Sequence, residues 1–477
     1  MLFNSIEFAC FFVLVFIFYW FVLDKLKVQN YFILFASYLF YGWWDWRFLL
    51  LIFFSTLLDF LLGALLYKSN NESQRKYLLW TSVSLNLGLL GVFKYYNFFV
   101  DNLVSGLSFL GVSTSFNTLQ LILPVGISFY TFQTMSYTID IYRKKLVPTT
   151  NFISFASFVS FFPQLVAGPI ERARHLLPQF EKKRTFSYEN SVDGLRQILW
   201  GLFKKIVIAD NSAIYVNQIF ENYSHLSGLD LIFGIVLFTI QLYCDFSGYS
   251  DIALGTARLL GFNLSQNFAY PYFSKSIVEF WSRWHISLTT WFRDYLFVPI
   301  ASGRSGKLYR IGNTFILFGL IGFWHGPRWT YIVYGLINAF YLIPSIIFRK
   351  GNREIAAKGK NLPSLSESSH IFITYFFTLL AGVFFRSKTI GDATLYLKGI
   401  FSPNLYKPSE FLDGLLPIFI LIGFFQIIEW LGREHKHPLE TFSSVNIKGL
   451  RWGFYLFISL LIFLYGIDGP QYFYFQF

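Results

Sequence analysis

The sequence predicts an all-α, polytopic integral membrane protein with roughly ten to twelve transmembrane helices and additional re-entrant or interfacial helices. Of the 477 residues, 54% are hydrophobic and only 14% are charged, whereas a soluble domain carries about 25% charged residues. Apolar runs recur along the chain, and a membrane span needs about 20 such residues. The chain has too few polar side chains to cover a soluble core of this size, so lipid must solvate much of its surface.

The clearest apolar runs are the candidate spans 8–23, 31–43, 48–67, 78–93, 119–142, 229–245, 329–348, 371–386, 411–431 and 451–467. Less regular apolar segments at 152–168, 195–220, 250–262, 273–300 and 311–324 are expected to include the re-entrant and interfacial pieces. The first run has no basic stretch before it and no small-residue cleavage site after it, which indicates a retained helix and not a signal peptide.

We find no internal repeat and no linker long enough to separate two domains. The expectation is a single membrane domain over 1–477. Its core motifs lie at about 152–348, between N-terminal helices at 1–145 and C-terminal helices at 370–477.

The formal net charge is +12, but the basic residues form short clusters between apolar runs. That pattern sets membrane topology and does not indicate nucleic-acid binding. Placing most of these clusters in the cytoplasm puts both chain termini outside. Cys10 and Cys244 lie in apolar surroundings, so no disulfide framework or thiol chemistry is expected.

Polar residues crowd into three apolar blocks of the middle third, at 241–251, 279–295 and 321–329. Polar groups within a membrane are costly and indicate function by default. The blocks supply candidates for a substrate or donor funnel: Trp281, Arg283, Arg293, Asp294, Asp245 and Trp324.

His325 is the strongest catalytic candidate among the histidines. If Arg310 lies near the cytoplasmic surface, residues 311–324 rise only about 21 Å through a core of about 30 Å. Gly326 and Pro327 then interrupt the helix, and such a break within the membrane is tolerated only in packed protein or beside a wet cavity. A neutral histidine there can take a proton from an attacking hydroxyl. The alternative is a core histidine bonded to a backbone carbonyl, and the residues alone leave both open.

His285 is the second candidate, because arginines and tryptophans surround it in sequence. It is interpreted either as a second catalytic or substrate-orienting group, or as a hydrogen-bonded structural histidine. The other histidines lie in loops or at helix ends, where they are expected to be solvated and to have no catalytic role. No pair shows metal-ligand spacing such as H-E-x-x-H, so no metal and no bound cofactor are expected.

Long motifs carry a resemblance to a known family: FFPQLVAGPIERARHLLPQF at 161–180, QLYCDFSGYSDIALGTARLLGFNL at 241–264, NFAYPYFSKSIVEFWSRWHISLTTWFRDYLFVPI at 267–300, FWHG at 323–326 and YFQF at 474–477. With these motifs the chain resembles the membrane-bound O-acyltransferase (MBOAT) family, in the branch of the alginate O-acetyltransferase membrane subunit. The resemblance spans nearly the whole chain, and the WHISLTTWFRDY motif with a downstream FWHG is its most specific part.

The resemblance implies a ring of tilted helices around a central funnel, with His325 as the catalytic histidine and His285 as the second characteristic one. It implies acetyl-CoA as the donor, an extracytoplasmic polysaccharide as the acceptor and a multi-pass location in a bacterial cytoplasmic membrane. A secreted or membrane-tethered partner of the SGNH acetyltransferase type is also expected, because the outer connections are too short to hold a polymer. The alternatives are a D-alanyl transferase acting on teichoic acid and a transporter or flippase for a polysaccharide precursor.

Two further expectations concern the ends of the transfer path. Basic residues near the cytoplasmic mouth are candidates for binding the CoA phosphates: Arg172, Arg174, Lys182, Lys183 and Arg184, or Arg304, Lys307 and Arg310.

The uncharged aromatic tail after Asp468 either anchors the last helix in an interfacial belt or folds into the outer funnel. In the second case Tyr474 or Tyr472 carries the acetyl group transiently.

Overall fold

The computed structural model describes residues 1–114, 116–166, 168–301, 306–348, 354–403, 407, 411–444 and 447–466. Every regular element in these ranges is a helix, which confirms the all-α class. Contacts divide the chain into two compact units. One comprises Met1–Ser191 with Thr256–Ser265, and the other comprises Val192–Gly255 with the described residues from Gln266 onward. The single membrane domain expected from the sequence stays a prediction.

The first unit contains nine complete helices among its described residues, α1 to α9: Ile6–Ile17, Leu26–Gly42, Phe48–Lys68, Glu72–Leu90, Tyr96–Phe109, Ile127–Tyr142, Phe152–Ser160, Phe162–Leu165 and Ala173–Glu181. Helix α10 (Tyr188–Leu202) begins in this unit and continues into the second. Helices α3, α4 and α6 pack together around the buried carboxylate of Asp59, which accepts hydrogen bonds from Ser82 and Asn86. The hydrogen bonds of Asp59 therefore lie inside the cluster that α3, α4 and α6 form.

The second unit contains most of the predicted functional blocks. After α11 (Asp210–Glu221) and the long α12 (Gly228–Leu259), its helices α13 to α21 are Ile277–Arg283, Ile286–Phe292, Val298–Ala301, Lys307–His325, Trp329–Phe348, Leu365–Arg386, Ile390–Ile400, Leu412–Gly432 and Lys448–Leu464. Helix α12 runs through the polar block 241–251 without a break. The polar groups of this block are accommodated by side-chain partners, since Asp245 pairs with Lys205 and Asp251 pairs with Lys204.

Five helices in the described part of the chain are long and apolar enough to cross a membrane: Phe48–Lys68, Gly228–Leu259, Trp329–Phe348, Leu365–Arg386 and Gly414–Gly432. Shorter apolar helices occur at Ile6–Val22 and Phe152–Leu165. Fewer helices meet this length criterion than the ten to twelve crossings expected, because several apolar runs form helices of 17 residues or fewer.

The predicted span 119–142 is wrong in its first third, since α6 begins only at Ile127. Gly126 stands before it with φ of 76°, a left-handed conformation that glycine adopts without a steric penalty. Upstream, both main-chain groups of Leu119 bond to the side chain of Asn97 at 2.9 Å. These contacts hold the segment in a non-helical form despite its apolar residues.

Helices α16 and α17 form a tight hairpin that places His325 at its turn. A Cβ at Gly322 would overlap the carbonyl of Tyr331, and one at Gly335 would overlap the carbonyl of Phe318. The two main chains approach this closely because glycine has no side chain at either contact. The end of α16 is therefore held against α17.

Candidate active site

His325 is the last residue of α16 and is almost fully buried, with 5% of its surface exposed. The helix ends where the Gly-Pro pair predicts: Gly326 caps it, and the N–H of Arg328 donates to the carbonyl of Gly326 at 2.8 Å. Helix α17 starts at Trp329, the residue that follows Arg328. The imidazole thus lies at a helix break that is packed in protein.

Aromatic rings enclose the imidazole of His325. Its centroid lies 5.1 Å from the ring of Phe385 on α18 and 6.5 Å from that of Tyr334 on α17. Phe385 and Tyr334 also contact each other, with centroids 5.0 Å apart. This aromatic wall surrounds the imidazole with apolar groups.

His285 joins two short helices and has an unusual main-chain conformation. It follows α13, precedes α14 as its N-terminal cap and has φ of 43°. Positive φ is uncommon outside glycine and costs energy, and such residues concentrate at functional sites. The side chain is 1% exposed, and its Nδ1 lies 3.0 Å from Oδ1 of Asn267.

Trp324 brings the two histidines to one place. Its indole centroid lies 5.7 Å from the imidazole of His285 and 5.1 Å from that of His325. The two imidazoles, both buried, therefore lie near the same tryptophan in a mostly apolar surrounding. The WHIS and FWHG motifs, 40 residues apart in sequence, therefore converge in space.

Comparisons with known proteins place this site in a family. The model of the membrane-bound O-acyltransferase family matches residues 39–378. The chain belongs to this family. It is an acyltransferase, and the transporter alternative is not retained.

Individual relatives agree with this assignment. The chain is 35% identical to a probable alginate O-acetylase of Pseudomonas aeruginosa, over 92% of this chain and 84% of that protein. It is 34% identical to a peptidoglycan O-acetyltransferase of Helicobacter pylori, over 77% and 73%. It is also 30% identical to a teichoic acid D-alanyltransferase of Bacillus subtilis, over 56% of this chain and 70% of that protein.

Of the predicted funnel residues, Trp281 lies beside the same hairpin of the acyltransferase as His325. Its Nε1–H donates to Oδ1 of Asn338 on α17 at 3.2 Å, and its ring lies 4.9 Å from that of Phe318 on α16. Trp281 and Trp324 therefore connect the short helix α13, His285 and the α16–α17 hairpin.

The charged funnel candidates have other partners. Arg283 pairs with Glu279 at 2.9 Å and donates to the carbonyl of Ala269 at 3.1 Å, so it braces α13. Arg293 and Asp294 pair with each other at 2.7 Å, and 53% of the Arg293 side chain is exposed. A funnel role for these three stays a prediction.

Asp245, one of the predicted funnel residues, belongs to a buried ion cluster whose members Lys205 and Asp210 are not among the sequence-based candidates. The Nζ of Lys205 lies 2.7 Å from a carboxylate oxygen of Asp245 and 2.7 Å from one of Asp210. The neighbouring Lys204 pairs with Asp251. Two consecutive lysines inside the apolar segment 195–220 were the sequence signal for this cluster, because such lysines need buried carboxylate partners.

A narrow polar cleft lies in the second unit. Its lining includes Lys204, Asp251 and Glu429 together with Lys436, which lies in a predicted cytoplasmic loop. Asn267, the residue bonded to His285, also lines it. The cleft thus places polar groups beside the residue that contacts the second histidine.

The proposed phosphate-binding residues differ in how far their side chains are exposed. Arg184 is buried and donates to Oδ1 of Asn30 at 2.7 Å, with its guanidinium 4.7 Å from the ring of Phe262. It therefore braces the first unit, and a phosphate contact by Arg184 stays a prediction. Lys182 and Lys183 are exposed and remain candidates. Arg304, Tyr472 and Tyr474 lie outside the described residues.

Proposed function

We propose that this acyltransferase moves acetyl groups from cytoplasmic acetyl-CoA across the membrane for O-acetylation of an extracytoplasmic polysaccharide. The observation that carries the proposal is the convergence of His285 and His325 on Trp324, at a buried helix break, in a chain similar to named O-acetylases. An alginate-like exopolysaccharide, cellulose and peptidoglycan are the acceptor classes it fits. The location proposed is the bacterial cytoplasmic membrane, with multiple passes.

The reaction assigns His325 the role of general base. Its neutral imidazole takes the proton of an acceptor hydroxyl while the hydroxyl oxygen attacks the carbonyl carbon of the thioester. The carbon–sulfur bond then breaks, and the CoA thiolate leaves with the proton returned by the imidazolium. The acetyl group ends as an ester, so the exchange is balanced and needs no metal or redox partner.

His285 acts as the second histidine of the site, orienting the reacting groups from the other side of Trp324. The rings of Phe385 and Tyr334 keep bulk water from the thioester, which limits hydrolysis of the donor. Trp281 and Trp324 are proposed as walls of the donor path. Each of these roles follows from contacts to the histidines or to the α16–α17 hairpin.

Delivery to the polymer is proposed to need a second protein, a secreted or membrane-tethered acetyltransferase of the SGNH type. The predicted outer connections of this chain, 102–117 and 388–410, contain about 16 and 23 residues by the sequence-based topology, too few to build a separate polymer-binding domain. The C-terminal Tyr474 or Tyr472 is proposed as a transient acetyl carrier toward that partner.

D-alanyl transfer to teichoic acid is the second candidate. The family relative named for that activity is 30% identical over 56% of this chain, against 35% over 92% for the probable alginate O-acetylase. The broader match favours acetyl transfer.

The test is to incubate the purified protein with acetyl-CoA labelled in the acetyl group, together with the partner acetyltransferase and a soluble saccharide acceptor, and to measure release of CoA and labelled product. Acceptor-dependent CoA release supports the proposal. Release only from a D-alanyl carrier, with none from acetyl-CoA, would replace it with the second candidate.

A further inference from the structure

Asn267 makes an unusually complete set of contacts with the segment that carries His285. Its main-chain oxygen accepts the N–H of Ile286 at 2.8 Å. Its side-chain Oδ1 accepts the hydroxyl of Ser287 at 2.9 Å and lies 3.0 Å from Nδ1 of His285. Asn267 is 1% exposed. One buried residue therefore contacts three consecutive residues at the start of α14.

The orientation of the Asn267 amide follows from its partners. The main-chain N–H of Ser287 can only donate, and it points at Oδ1 over 3.4 Å. On its other side, Nδ2 donates to the hydroxyl of Ser250 at 3.3 Å. Exchanging the amide oxygen and nitrogen would set an NH₂ group against that main-chain donor. The atom facing His285 is therefore an acceptor.

An acceptor at this position determines which ring nitrogen of His285 carries the proton. A neutral imidazole has one N–H and one lone pair, and a bond to Oδ1 requires the N–H at Nδ1. The lone pair is then at Nε2. Aromatic rings also surround His285: Phe246 at 4.7 Å, Trp324 at 5.7 Å and Phe268 at 6.2 Å.

We propose that Asn267 is a positioning residue that fixes the Nδ1–H tautomer of His285 and so presents Nε2 as the hydrogen-bond acceptor of the site. This inference rests on the proposed function for its catalytic consequence, but the tautomer is a property of the folded protein alone. Positive φ at His285 fits the same role, because the contacts to Asn267 stabilise a conformation that histidine otherwise avoids.

The direct test is ¹⁵N NMR of the full-length protein labelled at histidine. The chain has 7 histidines, so the His285 signals are assigned by their loss in His285→Gln. In the wild type we expect the proton on Nδ1. Asn267→Asp keeps an acceptor and is expected to keep this tautomer, whereas Asn267→Leu is expected to move the proton to Nε2, the tautomer that histidine prefers in water.

Asn338→Leu is the matched control, because it also replaces a buried amide and removes a bond to Trp281. It is expected to leave the His285 tautomer unchanged. Activity gives a second readout: Asn267→Leu should lower kcat about 10–100-fold, by analogy with the loss of a residue that orients a metal-ligating histidine. The KM for acetyl-CoA should change less than about twofold, and Asn267→Asp should recover part of kcat.

A proton on Nε2 in the wild type, or on Nδ1 in Asn267→Leu, would overturn the inference. So would a kcat loss in Asn267→Leu without a change of tautomer, since that would indicate a structural role only. A wild type that shows the expected tautomer and releases no CoA from acetyl-CoA would instead refute the proposed function and leave the positioning role standing.

Discussion

At the residue scale, Lys205 is the side chain on which the stability of the second unit depends most clearly. It is buried between the carboxylates of Asp210 and Asp245, each at 2.7 Å. Lys205→Met should leave these two carboxylates buried without their cation, which costs about 3–5 kcal/mol when one partner of a buried ion pair is removed. A large fall in thermal midpoint, measured in detergent by tryptophan fluorescence, is the expected result.

Arg293→Gln is the control for this prediction. It breaks an ion pair with Asp294 that is largely exposed on the arginine side, and exposed pairs contribute about 0–1 kcal/mol. Its midpoint should stay within a few degrees of wild type. Equal midpoints for Lys205→Met and Arg293→Gln would contradict the assignment of the cluster.

The two histidines should differ in how much activity their loss removes. His285→Ala is expected to reduce acetyl transfer less than His325→Ala, because water can partly replace an orienting group but not the general base. Initial rates of CoA release at saturating acetyl-CoA measure the difference. Equal losses would mean that both imidazoles take part in proton transfer.

The sequence allowed both histidines to be predicted but not their partners. His325 was marked by the Gly-Pro break, and His285 by its aromatic and basic neighbours. No feature of the sequence distinguishes Asn267, because a single asparagine in a loop is common. Only the folded chain brings its Oδ1 to the imidazole of His285. The partner of Arg184 could not be predicted either: it belongs to a basic cluster in sequence, and only the fold shows that it is buried against Asn30.

At the element scale, the glycines of the α16–α17 hairpin determine where His325 lies. Gly322→Ala should push the helices apart, because the added methyl group overlaps the carbonyl of Tyr331, and overpacking of this kind costs about 1–3 kcal/mol. We expect a lower thermal midpoint and a loss of activity. Gly312→Ala, on the same helix with no atom within 4 Å of the new methyl, should match or exceed wild-type stability. A Gly322→Ala protein as stable and active as Gly312→Ala would contradict the close approach.

A second element-scale prediction concerns the contact between α9 and the 263–265 loop in the first unit. The carboxylate of Glu171 bonds to Nδ1 of His175 at 2.7 Å and accepts the N–H of Ser265. The bond to Glu171 raises the pKa of His175. A raised pKa in the folded state means that the stabilisation is complete below the ordinary histidine pKa of about 6.5 and is lost as pH rises through the folded value.

Hydrogen exchange of the Ser265 amide between about pH 5 and 9 tests this contact, after correction for the intrinsic pH dependence of exchange. Protection should fall as pH rises in the wild type and should depend less on pH in His175→Gln, which cannot be protonated. The same pH dependence in both proteins would show that His175 does not hold the loop.

It was easier to predict that a segment forms a helix than to predict where the helix begins and ends. Apolar length correctly indicated the span at 48–67, because nothing in that run competes with a helix. The run at 119–142 failed in its first third, where Pro124 and Gly126 precede the helix and Asn97 bonds the main chain of Leu119. Conversely, the predicted span 229–245 ended too early, because α12 continues to Leu259. Lys204 and Lys205 pair with the carboxylates of its polar block.

At the scale of the whole molecule, the distribution of basic residues predicts that both termini lie outside. In a Cys10→Ser background, Lys76→Cys should lie on the cytoplasmic side and Ser113→Cys on the outer side. A membrane-impermeant maleimide applied to intact spheroplasts should label Ser113→Cys only, and both variants after lysis. Labelling of Lys76→Cys alone in intact cells would reverse the topology and, with it, the proposed side of donor entry.

The central claim is that His325 performs acetyl transfer from acetyl-CoA. Its most direct measurement is CoA release by purified wild-type, His325→Ala and His370→Ala proteins, each supplied with the partner acetyltransferase and a saccharide acceptor. His370 is exposed near the start of α18, so its replacement controls for the loss of a histidine as such. We predict that the wild type and His370→Ala release CoA at similar rates and that His325→Ala loses about 10²–10⁴-fold, the usual contribution of a general base. A correctly folded His325→Ala protein that retains more than about half of the wild-type rate would contradict the account.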